Sequence, residues 1–396
     1  MFGRTFAISW LAYASYYLCR KNFSVLMPYL KSEAGLTSND LAAALFGYSV
    51  LYALGQFLMG NLVDRLGARW VAAFGMLASA ALSFSMTLPL ATTAVILIGI
   101  QALNGLAQSS GWPSVLKLAK QWFPETNRGV SMSWWSTHLV FGGLAGTWLA
   151  TRSAEAHWTL AATIPAAVLT TVALLYLAVA RDRPGQDDPD ASVLPREKVR
   201  LQLSTPLVAI AAMYFCVKMA RYAFLFWLPL YMTEYLRYEK PLAGYASSAF
   251  EFVGVLGALT AGIVSERLNR ARFSVASVMM AVLAVLCFFY PAASSLGLVS
   301  NLIWIGLIGF FTFGPDTLMA GPALHDLVPT EAMGSAGGFV NGVGSIGQVL
   351  SPFVVAQVSQ HAGWETLFAG LAGVVLCGSA VLMTPFLLKK RKEVIV

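Results

Sequence analysis

Apolar segments about as long as a bilayer is thick recur along the whole chain. A helix needs roughly 20 mostly apolar residues to cross the hydrocarbon core, so the pattern predicts twelve membrane spans. We place them at about residues 5–30, 41–64, 70–89, 93–121, 129–152, 158–180, 207–235, 241–266, 273–291, 296–325, 332–360 and 364–388. The longest stretch without this character, Arg181 to Ser204, is rich in charge and proline, which is typical of a linker.

The linker divides the spans into two groups of six. We therefore predict an all-α polytopic membrane protein with a six-helix half at 1–180, a cytoplasmic linker at 181–206 and a second six-helix half at 207–396. Composition agrees with this class, because 57% of the residues are hydrophobic and only 11% are charged. Soluble domains contain about 25% charged residues.

The lysines and arginines predict the orientation. With the N-terminus inside, the inner loops and tails hold 18 of the 26, the outer loops hold 4 and the spans hold the other 4. This asymmetry predicts that both termini are cytoplasmic, and we expect the membrane to be a bacterial inner membrane. Because the net charge of +7 is spread over short loops, it does not indicate a nucleic-acid partner.

The two halves repeat a loop motif. Gly60-xxx-Asp64-Arg65-xxx-Arg69 follows the second span, and Gly262-xxx-Glu266-Arg267-xx-Arg270 follows the eighth. We expect the acid and arginine side chains of each loop to pair across helix ends and to exchange partners as the halves rock; the alternative is ordinary positive-inside decoration. A parallel repeat predicts a site between the halves near mid-membrane.

Charged residues also lie inside the predicted spans. The cations are Arg20, Lys21, Lys218 and Arg221, and the acids are Glu251 and Asp316. A cation at bilayer depth costs at least ~2.5–3.5 kcal/mol, so each requires a polar cavity or a partner. Four cations against two acids leave an excess of positive charge, which a dianionic substrate would neutralise.

Arg20 and Arg221 are the strongest candidates for a binding site. They are 201 residues apart, at corresponding places in the two halves, and two guanidinium groups can hold one phosphate through paired N–H donors. The alternative is that intramembrane acids neutralise them. Lys218 lies one turn before Arg221, so substrate contact and ion pairing both remain open for it. Lys21 is expected instead to form a structural ion pair, with Asp316 or Glu251.

Neutral polar side chains could complete the site. His138 lies in the fifth span and could contact substrate or carry a proton, although a lone helical histidine often only packs. Further donors to phosphate oxygens or sugar hydroxyls are Tyr13, Tyr17, Tyr52 and Gln108. Aromatic residues in spans are usually packing or belt residues. The four cysteines lie in apolar segments without metal-ligand or disulfide spacing, so we expect no metal site and no cofactor.

These motifs resemble a known family. The two acid-arginine loops are similar to the signature loop of the major facilitator superfamily. Tyr16-Tyr17-Leu18-Cys19-Arg20-Lys21-Asn22-Phe23, with Met27-Pro28, resembles the first-span signature of its organophosphate:phosphate antiporters. The segments Leu103–Pro113 and Arg221–Trp227 are similar to the fourth and seventh spans of that group.

The resemblance implies exchange of a phosphate ester for inorganic phosphate by alternating access. It assigns phosphate binding to Arg20 and Arg221, and it places a cavity histidine at His138. By the same resemblance, Tyr13, Tyr17 and Tyr52 would be cavity tyrosines, and Glu251 would match the eighth-span acid of the glycerol-phosphate member. Asp316 has no counterpart in this resemblance, and Gln56 and Lys218 also depart from it in some branches, which leaves the organic part of the substrate open.

We therefore predict a monomeric antiporter of phosphorylated small metabolites, with the lipid bilayer and its two substrates as partners. Two other functions remain possible from sequence. One is a proton-coupled transporter of another organic anion, with Glu251 or Asp316 as the proton carrier. The other is a membrane sensor of sugar phosphate. An enzyme is not expected, because no nucleophile–base or metal-ligand set is present.

Overall fold

The computed structural model describes residues 2–88, 93–122, 135, 137–182, 203–328 and 333–394. These ranges are almost entirely helical and contain no strand. Their helices are α1 (Phe2–Tyr16), α2 (Leu18–Ala34), α3 (Ser38–Leu66), α4 (Ala68–Ser85), α5 (Ala94–Gln108), α6 (Gly111–Trp122), α7 (His138–Ala154), α8 (Leu160–Val179), α9 (Thr205–Glu234), α10 (Lys240–Ser247), α11 (Ala249–Arg267), α12 (Arg272–Ser294), α13 (Leu298–Ala320), α14 (Pro322–Leu327), α15 (Met333–His361) and α16 (Gly363–Val394).

Each of the twelve predicted spans contains at least one of these helices, so the predicted all-helical, twelve-span architecture is confirmed. Among the described residues, nine segments are long and apolar enough to cross a membrane. The other three spans are the first and fourth, which are each divided into two helices, and the fifth, whose first part lies outside the described residues.

The first span is interrupted at Tyr17, between α1 and α2, although neither proline nor glycine occurs there. The Tyr17 backbone N–H donates to the Ala14 carbonyl at 3.1 Å, which is a tight i→i−3 turn. The Tyr17 carbonyl then accepts from the backbone N–H groups of Arg20 and Lys21, at 3.2 and 2.9 Å. The break therefore places both cations in the first turn of α2.

The fourth span is interrupted at Ser109 and Ser110, between α5 and α6. Both hydroxyls donate to backbone carbonyls of the preceding turn, Ser109 to Leu106 at 2.6 Å and Ser110 to Ala107 at 2.7 Å. Side-chain bonds of this kind compete with the helix ladder and bend it. Trp112 and Pro113 follow directly in the first turn of α6.

Glycines allow close helix contacts at corresponding places in the two halves of the sequence. A Cβ at Gly105 of α5 would overlap the backbone carbonyl of Tyr48 in α3. In the same way, a Cβ at Gly257 of α11 would overlap the backbone carbonyl of Phe310 in α13. A Cβ at Gly309 of α13 would overlap the backbone carbonyl of Phe250 in α11. Small residues at such crossings let membrane helices pack backbone to backbone.

The chain forms two compact units. Unit 1 comprises Met1–Ser192 and Leu228–Ser248, and unit 2 comprises Val193–Trp227 and Ala249–Val396. The division crosses α9 between Trp227 and Leu228, one residue before Pro229, and it crosses the eighth span at the break between α10 and α11. Proline lacks the N–H that would bond the preceding turn, so α9 is weakened where the division falls.

Within unit 1, residues 228–248 are held by charged and polar contacts. Lys31 of α2 pairs with Glu234 at the end of α9. Lys240 of α10 donates to the Ser32 hydroxyl at 2.6 Å and pairs with Glu33 at 3.3 Å. The Tyr245 hydroxyl donates to Glu155 at 2.8 Å. This segment, although it belongs to the second half by sequence, is anchored to helices of the first.

Candidate substrate-binding site

In unit 1, Arg20 lies among neutral groups. Its Nε donates to Oε1 of Gln108 at 2.8 Å, and its guanidinium carbon lies 4.7 Å from the ring centre of Tyr17 and 5.1 Å from that of Tyr52. In the part of the chain that the structure describes, no ion pair involves Arg20. The structure thus brings three of the predicted site residues, Gln108, Tyr17 and Tyr52, around a fourth, Arg20.

A buried polar network from α2, α4 and α5 orients the Gln108 amide. Its Nε2 donates to the Cys19 carbonyl at 3.1 Å and to the Ser79 hydroxyl at 3.2 Å. The carbonyl oxygen therefore points away from these acceptors and receives Arg20 together with the Tyr48 hydroxyl, which donates at 2.9 Å. Gln108 is only 1% exposed. A buried amide needs hydrogen-bond partners for both its oxygen and its nitrogen, and Gln108 has them.

Tyr48 is a site residue that sequence reasoning missed. It lies four residues before Tyr52 on α3, and the two rings stack with centres 6.0 Å apart and planes at 15°. That i, i+4 spacing was the available signal, since it places both tyrosines on one helical face.

Tyr13 and His138 form a buried aromatic cluster with Trp135. The Tyr13 ring centre is 4.4 Å from that of His138 and 5.3 Å from that of Trp135. His138 is completely buried, and its Nδ1 donates to the Trp135 carbonyl at 2.6 Å. Its Nε2 has no hydrogen-bond partner among the described residues. In the neutral ring Nε2 is then an acceptor, not a donor.

The cluster adjoins the arginine through Tyr17, whose ring centre is 6.3 Å from that of Tyr13 and 6.4 Å from that of His138. His138 therefore packs behind the tyrosines that border Arg20.

In unit 2, Arg221 is paired with an acid. Its Nη1 donates to Oδ2 of Asp316, and its guanidinium carbon lies 4.3 Å from the ring centre of Phe313. Phe313 and Asp316 are one turn apart on α13, so both meet the same arginine of α9. Asp316 therefore has Arg221 as a partner. The expected pairing of Lys21 with Asp316 or Glu251 stays a prediction. The alternative of neutralisation by an intramembrane acid holds for one of the two arginines.

Lys218, one turn from Arg221 on α9, donates to Oδ1 of Asn341 at 2.6 Å. Its ammonium nitrogen also lies 4.9 Å from the ring centre of Tyr214. Lys218 is 7% exposed, whereas Asn341 on α15 is exposed. Sequence reasoning missed Asn341, because no motif or periodicity distinguishes this residue from other polar positions.

The other two intramembrane charges are buried. Lys21 of α2 is 4% exposed, and the backbone of α7 approaches it closely at Gly146. Glu251 is 6% exposed and lies in the first turn of α11, where the helix dipole favours a negative charge. Their roles stay predictions.

The first loop motif is built around helix ends of unit 1. Arg69 donates from Nε to the Leu177 carbonyl at 2.9 Å, near the end of α8. Asp182 accepts from the backbone N–H groups of Ala68 and Arg69, at 3.1 and 3.3 Å, at the start of α4. Arg65 is exposed, and the side chain of Asp64 lies outside the described residues.

In the second loop motif, Glu266 interacts with Arg270 at 3.8 Å and pairs more closely with Arg272. Arg272, whose side chain is only 7% exposed, also bonds Asp326 at 3.0 Å and the Ser265 hydroxyl at 2.7 Å. Arg267 is exposed. The sequence offered Arg272 only as one loop cation among several, so its central place was missed.

The two arginine sites can both meet an oxyanion, but they differ in charge. Arg20 offers a cation in a neutral setting, while Arg221 offers one already shared with a carboxylate. No cluster of histidine, cysteine and acidic side chains suited to a metal ion occurs among the described residues.

Comparison with known proteins places the chain among transporters. The family model described as Major Facilitator Superfamily matches residues 9–321 and 210–395. The glycerol-3-phosphate transporter of Bacillus subtilis (strain 168) is 28% identical over 91% of this chain and 87% of its own. The glucose-6-phosphate exchanger SLC37A1 of Mus musculus is 26% identical over 83% and 74%. These relatives confirm the resemblance to organophosphate transporters that the motifs indicated.

Among solved structures, the nucleoside transporter NupG matches with a TM-score of 0.71. It covers 97% of this chain and 99% of its own at 17% sequence identity. At that identity the likeness concerns the fold alone.

Proposed function

Because the chain belongs to the Major Facilitator Superfamily, we propose that it is a secondary active transporter that exchanges a phosphorylated small metabolite for inorganic phosphate. It is an integral multi-pass membrane protein and a transporter rather than an enzyme. The observation that carries the proposal is the setting of Arg20. This arginine is held by Gln108 and two tyrosine rings and keeps its charge available to an anion.

The phosphate group would be bound by Arg20 and Arg221 together. This step rests on their corresponding positions in the repeat and on the fork geometry of guanidinium, which matches a phosphate through two parallel N–H donors. Lys218 would add a third cation near Arg221. Gln108 and Tyr52 would hold Arg20 in place, and Tyr13, Tyr17 and His138 would support it from behind.

Exchange rather than free uptake follows from charge. The four intramembrane cations exceed the two acids, Glu251 and Asp316, and a dianionic phosphate cancels the excess. Without substrate, the excess charge would have to be enclosed in a low-dielectric interior, which is costly. Rocker-switch alternating access of the two six-helix halves would therefore proceed only when the site is loaded, with either the ester or phosphate.

We place the protein in a bacterial inner membrane as a monomer, with both termini in the cytoplasm. This orientation rests on the distribution of lysine and arginine over the loops. The two acid-arginine loops would then lie on the cytoplasmic side, where their ion pairs could exchange during the transport cycle.

The direct test uses purified full-length protein in vesicles loaded with inorganic phosphate. Labelled phosphate added outside should accumulate by counterflow, and vesicles without internal phosphate should show little uptake. External glycerol 3-phosphate or glucose 6-phosphate should release the internal label. Absence of counterflow in vesicles that contain folded protein would exclude the antiporter. Uptake that ignores internal phosphate but collapses with a protonophore would identify proton coupling, and binding without transport would identify a sensor.

A further inference from the structure

An exposed amide lies within the eleventh predicted span. Asn341 is exposed on α15, although the segment Ala336–His361 is long and apolar enough to cross a membrane. Polar side chains at bilayer depth face the interior of the bundle or a water-filled cavity, because contact with lipid is costly. Since Asn341 is not buried among other helices, we expect a water-filled cavity on its side of α15.

The exposed sides of α15 differ in chemistry. Gly338, Asn341 and Ser345 follow one another at spacings of three and four residues, so they share one side of the helix. Ile346 and Leu350 are 54% and 41% exposed. They lie about 140° and 180° around the helix from Asn341, because each residue turns an α-helix by about 100°. The large apolar side chains suit contact with lipid, and the side that carries Asn341 suits contact with water.

Lys218 determines which end of the Asn341 amide remains available. Its ammonium group donates to Oδ1 at 2.6 Å. Helices α9 and α15 are close here, since a Cβ at Gly347 would overlap the backbone carbonyl of Phe215. Among the described residues Nδ2 has no acceptor, so its two N–H donors remain for a ligand. A cation bonded to the oxygen also polarises the amide, which strengthens these donors.

Gln108 of unit 1 provides a comparison. This amide also accepts from a cation, Arg20, but its Nε2 is already bonded to the Cys19 carbonyl and the Ser79 hydroxyl. It is 1% exposed, so it can position the arginine but cannot reach a ligand. Asn341 has the same bond to a cation and differs in two respects: it is exposed, and its nitrogen is unoccupied within the described part of the chain.

Resting on the proposed function, we infer that Asn341 is a further phosphate-binding residue, whose Nδ2 donates to an oxygen of inorganic phosphate or of the phosphate group of the ester. A hydrogen bond to a charged acceptor is about twice as strong as one to a neutral acceptor, so an oxyanion is the ligand that this donor favours. Lys218 forms no ion pair with any described residue, and its charge reaches the phosphate through the amide that it polarises.

Two variants, measured by phosphate self-exchange in phosphate-loaded vesicles, test this inference. Asn341→Asp keeps an oxygen for Lys218 but replaces the donor with a negative charge. Asn341→Leu removes both the donor and the acceptor and adds no charge. Because the contact is made on binding, the KM for phosphate should rise by about 30-fold in Asn341→Asp and about tenfold in Asn341→Leu, while kcat changes by less than about threefold.

A purely structural role for Asn341 predicts the opposite order. If the amide only held Lys218, Asn341→Asp would keep that bond and exchange almost normally, and Asn341→Leu would be the more impaired variant. That order would overturn the inference. A higher KM for glycerol 3-phosphate with an unchanged KM for phosphate would also overturn it, because the amide would then contact the organic group.

Gln360→Glu is the matched control, because it makes the same change from amide to acid at another exposed position of α15. Its KM for phosphate should stay within about twofold of wild type. If Asn341→Asp does not fold, Asn341→Leu decides against this control, and a KM equal to that of Gln360→Glu overturns the inference.

Binding of inorganic phosphate to the purified protein separates this inference from the proposed function. Phosphate should raise the Tm of the wild type, because a ligand that binds the folded state stabilises it, and Asn341→Asp should lose most of this increase. If that result is found but the wild type shows no self-exchange, the antiporter is wrong and the role of Asn341 stands. If folded Asn341→Asp exchanges phosphate as the wild type does, the role of Asn341 is wrong and the antiporter stands.

Discussion

Arg20 and Arg221 correspond in sequence, yet the structure treats them differently. Arg20 is bonded to a neutral amide and flanked by tyrosine rings, whereas Arg221 is bonded to a carboxylate. A cation in a neutral, partly buried setting attracts any oxyanion, but a paired cation must first share its charge. The difference teaches that an internal repeat can preserve a residue and change its electrostatics. The two halves can therefore contribute differently to the binding of one substrate.

The largest effect is expected from Arg20→Lys. A lysine cannot present the paired donors of guanidinium, and its ammonium cannot keep the Nε contact with Gln108 while meeting a phosphate. Phosphate counterflow should fall by about 100-fold or more, which corresponds to ~2.7 kcal/mol. Arg4→Lys, at an exposed position of the same unit, is the control. Near-normal exchange in Arg20→Lys would contradict the proposal that Arg20 and Arg221 bind phosphate together.

Gln108→Glu should make the first site resemble the second. A carboxylate at this position would pair with Arg20 as Asp316 pairs with Arg221, and it would repel phosphate. We expect the KM for phosphate to rise by about 30-fold, roughly 2 kcal/mol. Gln108→Leu removes the bond without adding charge and should cost less than about tenfold. Equal effects of the two substitutions would contradict the electrostatic explanation.

Arg221→Lys should be milder than Arg20→Lys. Lysine can still pair with Asp316, so the charge balance of unit 2 is kept and only the fork geometry is lost. Counterflow should fall by about tenfold, ~1.4 kcal/mol. Both variants should be compared at equal protein in the same vesicles. A greater loss in Arg221→Lys than in Arg20→Lys would reverse the ranking of the two sites.

The smallest effect is expected at Tyr52, whose ring lies beside the Arg20 guanidinium. Tyr52→Leu removes a cation–π contact worth about 0.5–1 kcal/mol at a partly exposed site, so the KM for phosphate should rise roughly two- to fivefold. Tyr52→Phe keeps the ring and should stay within about twofold of wild type. If Tyr52→Phe is as impaired as Tyr52→Leu, the hydroxyl, and not the ring, contacts the substrate.

Much of the fold could be predicted because the bilayer acts on length and hydropathy, which are local properties of the sequence. Arg20 and Arg221 could also be identified from hydropathy, because a cation inside an apolar span requires a polar cavity or a partner. The break at Tyr17 could not be predicted, because it depends on a tight turn at a residue with no special backbone preference.

Side-chain pairings between helices were still harder to predict from the sequence. The contact of Asp316 with Arg221 depends on how α9 and α13 face each other, and hydropathy does not specify that rotation. The same holds for Asn341 with Lys218 and for Arg272 with Asp326. Tyr48 was within reach, since its spacing from Tyr52 is a property of one helix.

Chimaeras test how residues 228–248 are anchored. A protein that joins the first half of this chain to the second half of a relative would inherit this segment from the relative. It would nevertheless retain Lys31 and Glu33, the residues that Glu234 and Lys240 meet here. A chimaera with an acid at position 234 and a cation at position 240 keeps both pairs. A junction inside α9, at the division between Trp227 and Leu228, keeps the whole segment with the helices that it contacts.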